Sequence, residues 1–151
     1  MKPSPFWRLW LTAVSIGMVV FGLVMVLFIQ SKPLTSLTRL IDLAFWPTGD
    51  ASASVAQFQT WAYAAWGATV AGFGVLTTFV AMKAFAKGEK WGRNALLAGL
   101  TTWYVLDTLA SALSAVWPNV LLNTVIALLV APPLIATWNV FEGPNKGTTA
   151  A

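Results

Sequence analysis

Apolar residues run almost unbroken through four stretches of the chain, and the polar residues collect between them. The first run, residues 9–29, carries no charge and is long enough to cross a hydrocarbon core of about 30 Å. A cleaved secretory signal has an apolar region of roughly 7–15 residues followed by small residues. Here the run ends in FIQSKP, which predicts a retained helix over 9–30. Lys2 and Arg8 precede it, with Pro3 and Pro5 opposing helix there. Residues 51–82 are again free of charge, but Gln57, Gln59 and Thr60 mark their beginning as interfacial, so the second helix is expected at 58–82. The third is expected at 94–117 and the fourth at 119–140. Trp117-Pro118-Asn119 joins them in a turn too tight for an extramembrane domain. The tail, residues 142–151, is small and polar and is expected to lack order.

Between the first two helices the pattern changes. Leu34, Leu37, Leu40, Ile41 and Phe45 recur at helical spacing, with Thr35, Ser36, Arg39 and Asp42 mostly between them. This predicts a short amphipathic helix over 34–46, lying at the membrane interface, with Pro47, Gly49 and Asp50 breaking the chain after it. Arg39 and Asp42 stand three apart and are placed to pair, a surface contact worth little. In the second spanning helix Ala64, Gly67, Ala68, Ala71, Gly72 and Gly74 form a run of small residues. Such spacing lets membrane helices approach closely, and it serves packing within the chain or a homodimer equally well.

Composition agrees with the pattern. Hydrophobic residues make up 58% and charged residues 9%, against about a quarter charged in a soluble domain. Mean hydropathy is +0.72. The expectation is an all-α membrane protein of a single domain, a four-transmembrane-helix bundle with a short interfacial helix in its first loop. The net charge of +4 does not point to nucleic acid, which needs a clustered basic face on a soluble module. The basic residues sit at helix ends instead. With a cytoplasmic N-terminus, the inner segments hold Lys2, Arg8, Lys83, Lys87, Lys90, Arg93 and Lys146, against Lys32 and Arg39 outside. The positive-inside rule thus favours an inner-membrane protein with both termini cytoplasmic. Trp7, Trp10, Trp91 and Trp138 fall near the inner boundary, and Trp46, Trp61 and Trp117 near the outer one, as aromatic belts do.

The chain has neither Cys nor His. That removes the usual ligands of zinc, copper, haem and iron–sulfur clusters, together with thiol nucleophiles and imidazole bases. No Gly-rich phosphate loop, serine nucleophile elbow or heptad repeat is present. No catalytic residue, metal or cofactor is therefore expected.

One residue stands out chemically. Asp107 falls within the third helix, about 21 Å from its expected inner end and about 15 Å from its outer end at 1.5 Å per residue. An ionised Asp at that depth costs about 2.5–3.5 kcal/mol on insertion scales, so it should face the bundle interior or a wet cavity. Trp103, Tyr104 and Ser111 share its face, and the two aromatics lie too deep to be interface anchors. Pro132 and Pro133 kink the fourth helix and release the carbonyls of Leu128 and Leu129, which pairing across the Trp117–Asn119 turn would bring level with Asp107. The expectation is a mid-membrane polar pocket of Asp107, Trp103, Tyr104 and Ser111 closed by that backbone. The plainer reading is a buried bond tying the third and fourth helices, worth about 0.6 kcal/mol. Asn123 and Thr124, and Thr77 and Thr78, read as packing bonds.

Three stretches, FAKGEKWGRNALLAG, WYVLDT and VWPNVLLN, resemble small bacterial four-helix membrane proteins of the DoxX-like or BphX-like kind over roughly residues 63–137. The resemblance implies fold and location and little about mechanism. The functional expectation is a non-enzymatic protein of the lipid bilayer, either an accessory subunit of a larger membrane complex or a binder of a small apolar molecule at Asp107. The alternative is proton-coupled transport of a small molecule by a homodimer, with Asp107 as the titrating group.

Overall fold

The structure, a computed structural model of the chain, describes residues 2–48 and 51–142. Among them there is no strand; the helices are α1 (Pro5–Phe28), α2 (Lys32–Asp42), α3 (Ala53–Lys83), α4 (Lys90–Leu113), α5 (Trp117–Ala136) and α6 (Trp138–Glu142). A 3₁₀ turn, Phe85–Lys87, links α3 to α4. Four of these helices, α1, α3, α4 and α5, are long and apolar enough to cross a membrane. The break expected at Gly49 and Asp50 and the lack of order expected of residues 143–151 lie outside the described residues, while Glu142, the first residue of the expected tail, closes α6.

Helix ends differ from the hydropathy limits because caps, not hydropathy, set them. Ser4 accepts the Trp7 N–H at 3.5 Å, and Pro5 occupies the first helical position, where a proline's missing N–H costs nothing. The N-terminal prolines therefore open α1 four residues earlier than expected instead of opposing it. Ser52 accepts the Val55 N–H at 3.4 Å and starts α3 five residues early. At 31 residues α3 is roughly 46 Å long, so it outruns a hydrocarbon core of about 30 Å by several turns.

The α4–α5 turn matters most. Val116 N–H bonds the Ser111 carbonyl at 2.8 Å and Ala115 N–H the Ala112 carbonyl at 3.1 Å, while Ala115 takes φ 57°. That is a Schellman C-cap with alanine in the left-handed position usually held by glycine. It stops α4 at Leu113, so the fourth helix starts at Trp117 and not at 119. A second cap of the same form, with Gly88 at φ 79°, closes the 3₁₀ turn before α4.

α1 and α3 pack antiparallel at very short range. A Cβ on Gly22 would meet the Gly67 carbonyl and, at 2.5 Å, the Ala71 nitrogen; one on Gly74 would meet the Val19 nitrogen at 2.8 Å. Gly67, Ala71 and Gly74 are thus used within the chain, against α1. Ala64 shares a groove with Val26 and Ile29 of the same partner. Ala68 and Gly72 are exposed, and nothing lies within 4 Å of a Cβ added to Gly72. The run of small residues is split between two faces.

All four long helices contribute to a buried cluster that includes Leu11, Ala81, Leu96, Leu100, Val130 and Leu134. Phe85 and Phe141 extend it at one end, their rings 5.2 Å apart. There the Arg93 side chain, only 2% exposed, lies 3.9 Å from the Trp138 ring centre and donates to the Trp138 carbonyl at 3.3 Å. It fastens α6 to α4. Elsewhere the exterior is apolar: Leu9, Leu76, Leu106 and Ile135 are each more than 60% exposed, a surface suited to lipid and not to water.

Candidate functional site

Asp107 sits six residues before the end of α4, about 9 Å in by helical rise, and so lies on the C-terminal side of the helix middle. Because the turn is centred on Ala115, residues across it pair about five positions earlier than a turn centred on Trp117–Pro118 would allow. Asn123, not Leu128, faces Asp107. Its Nδ2 donates to Asp107 Oδ2 at 2.8 Å and to Thr108 Oγ1 at 3.3 Å. One turn away on α5, Asn119 Nδ2 donates to Ser111 Oγ at 2.8 Å and to Asp107 Oδ2 at 3.3 Å. Ser111 Oγ passes its own proton to the Asp107 backbone carbonyl at 2.7 Å. Asn123 is fully buried, and the shorter of its two bonds to α4 goes to the acid.

The expected pocket is therefore corrected in half its membership. Asp107 and Ser111 come together. Tyr104 lies a turn further down, where Thr124 gives its proton to the Val120 carbonyl at 2.8 Å and Tyr104 supplies the hydroxyl contact to Thr124 at 3.4 Å. Trp103 turns inward and packs against the buried cluster. Leu128 is 67% exposed. The carbonyl that Pro133 releases at Leu129 is taken by the Trp10 indole N–H at 2.9 Å, so Trp10 ties α1 to α5. Thr77 and Thr78 bond carbonyls of their own helix at 3.0 and 2.7 Å, as membrane-helix threonines can, and tie nothing across.

What Asp107 lines instead is an open-mouthed cavity of about 350 Å³. Its polar side carries Asp107, Ser111, Ser114 and Asn119. The opposite side is built by Tyr63 and Trp66 of α3, with Ile41 and Phe45 from α2 and the turn after it. The Tyr63 and Trp66 rings stand on one face of α3, one helical turn apart.

α2 comes to this position through its inward face. Leu34 and Thr38 are buried and Ile41 half-buried, whereas Leu40 is 53% exposed, and α2 packs on α5. Asp42 ends the helix and turns toward α3, where its Oδ1 accepts from Tyr63 OH at 2.6 Å and Gln59 Nε2 at 2.8 Å. Arg39, expected to pair with it, stays exposed. Two phenol- or amide-bearing residues held rigidly by α3 outcompete a flexible exposed arginine, which would lose side-chain entropy in an exposed ion pair.

Two features give the cavity chemical character. Both amides bond the same carboxylate oxygen, Oδ2, of Asp107. The carbonyl oxygens of Asn119 and Asn123 are buried and have no hydrogen-bond partner among the described residues. A buried acceptor without a donor is uncommon. No Lys or Arg lines the cavity among the described residues, and no group of three His, Cys, Asp or Glu is placed to hold a metal among them.

Trp66, Tyr63, Phe45 and Asn119 are the site residues that sequence reasoning missed. Signals for three of them existed: Tyr63 and Trp66 are one helical turn apart, and Asn119 stands four before Asn123 on the same face of an otherwise apolar helix. No protein-family model, curated protein or solved structure matches the chain.

Proposed function

We propose that the chain is an integral protein of a bacterial inner membrane that binds a small molecule in the cavity around Asp107, without catalysing a reaction. The observation that supports this is the site itself: about 350 Å³ of space lined by an acid set within a spanning helix, with polar groups on α4 and α5 and aromatic rings from α3 and the turn after α2. Cavities of roughly 300–1,000 Å³ with apolar walls and a few convergent polar groups are the ordinary form of a ligand site. An acid within a membrane helix marks function more often than stability.

The orientation we infer puts both termini in the cytoplasm, by the distribution of basic residues. The cavity then lies toward the outer side, where the α4–α5 turn and α2 meet. We infer non-catalytic binding because the Ser111 hydroxyl is committed to a backbone carbonyl and the Tyr63 hydroxyl to Asp42, and the chain has no His or Cys to serve as base or nucleophile.

The test is native mass spectrometry of mildly extracted protein from its own host, comparing wild type with Ala110→Trp. Ala110 lines the cavity and is exposed to it, so an indole there fills the space. The expected result is a small-molecule adduct on wild type that the variant loses while keeping its helicity. An adduct that persists in Ala110→Trp, or a wild type carrying lipid and detergent alone, would sink the reading. So would a stoichiometric protein partner in place of the small molecule.

A further inference from the structure

We propose that the cavity is selective for a small organic cation, an ammonium bearing at least one N–H on an apolar body. This rests on the reading of the cavity as a ligand site and assigns its ligand class.

Three independent features converge on that chemistry. The first is charge. Asp107 presents a carboxylate whose amide bonds both fall on Oδ2, and no basic side chain lines the space among the described residues. An acid set among membrane helices is normally matched by a partner of opposite charge or a wet cavity; a bound cation supplies the former. The second is the wall. Phe45, Tyr63 and Trp66 line the same cavity as the carboxylate. Aromatic faces attract cations, Trp most strongly, and more so out of water. Tyr63 is held in place by donating its phenol proton to Asp42 at 2.6 Å.

The third feature is the state of the amides beside the acid. Asn119 spends its amide protons on Ser111 and Asp107, and Asn123 donates to Asp107 and Thr108. A ligand that only accepts hydrogen bonds finds no free amide donor there, whereas a ligand N–H meets the Asp107 carboxylate, which accepts. A bare calcium ion, by contrast, needs six to eight oxygen ligands, and most of this lining is carbon.

The experiment is equilibrium binding of tritiated 2-phenylethylamine, a primary ammonium at neutral pH, to the full chain in lipid nanodiscs. Unlabelled n-propylbenzene, the neutral carbon isostere, is the competitor. The expected result is saturable binding that n-propylbenzene does not displace. Asp107→Asn should weaken it at least about tenfold, as loss of a charge-assisted bond does, and Trp66→Leu severalfold. Should Asp107→Asn fail to fold, Trp66→Leu and the competition still decide the matter. Displacement by n-propylbenzene as effective as by unlabelled amine would overturn the cation inference and leave the ligand site standing. Equal binding by wild type and Asp107→Asn would do the same. Absence of saturable binding by either compound would overturn both.

Discussion

Gly22 offers the sharpest test of the packing described above. Replacing it with alanine adds a single methyl group, and that methyl would meet the Gly67 carbonyl oxygen, the Ala71 nitrogen at 2.5 Å and the Ala71 Cα at 2.9 Å. All three are backbone atoms of α3, so no side chain can swing aside. Ordinary contact begins near 3.4 Å, which means α1 and α3 must part by roughly 1 Å at this point. A gap of 0.5–1 Å already forfeits about a quarter to a half of the dispersion energy of each contact across it. In a membrane that energy is the main force holding helices together. Overpacking of this kind costs about 1–3 kcal/mol, partly offset by the better helix propensity of alanine, about 0.5–1 kcal/mol. Gly72→Ala is the matched control, since nothing lies within 4 Å of its added methyl. Reversible unfolding in mixed micelles, followed by circular dichroism, compares the two. The propensity gain is common to both variants and cancels, so Gly22→Ala should lose about 1–3 kcal/mol relative to Gly72→Ala. Equal stabilities would refute the close approach of α1 and α3.

Three further outcomes follow from the structure. Ala115→Gly should stabilise the protein by about 0.5–1 kcal/mol, because alanine at φ 57° carries a left-handed penalty that glycine lacks; Ala115→Val in the same unfolding assay should destabilise, and a rise in stability would contradict the cap. A double-mutant cycle over Asp107→Ala and Asn123→Ala should return a coupling of about 0.6–1.7 kcal/mol, the range of buried bonds between membrane helices; additive effects would mean the two side chains do not meet. Because the chain has no cysteine, single cysteines report topology cleanly: Ser36→Cys in α2 should react with an impermeant maleimide on intact cells, and Lys87→Cys only after permeabilisation, whereas the reverse would invert the inferred orientation.

The number and extent of the long helices were legible because membrane length and hydropathy are local, additive properties of a stretch of chain. Each of the four apolar runs returned as a helix long enough to span. The amphipathic segment was legible for the same reason, since its 3.6-residue period needs no partner to be read. Errors at the ends trace to single residues. Ser4 caps before the first charge-free run begins, and Ser52 caps ahead of Gln57, Gln59 and Thr60, which polarity alone places outside the helix; hydropathy is blind to a hydroxyl accepting an N–H.

The partner of Asp107 was decided by tertiary structure. An acid in an apolar helix announces that it needs company, but not whose. One alanine in a left-handed conformation moved the turn, slid the α4–α5 pairing by about five residues, and exchanged two proline-released carbonyls for two asparagines. The same holds for the small residues of α3. Their spacing states that something approaches closely, while only the placement of α1 shows that Gly67, Ala71 and Gly74 are occupied and that Ala68 and Gly72 are not. The aromatic wall, drawn from α2 and an overlong α3, joins residues far apart in sequence from those of α4 and α5. Periodicity carries information over a few turns of helix; it carries none about which helices stand side by side.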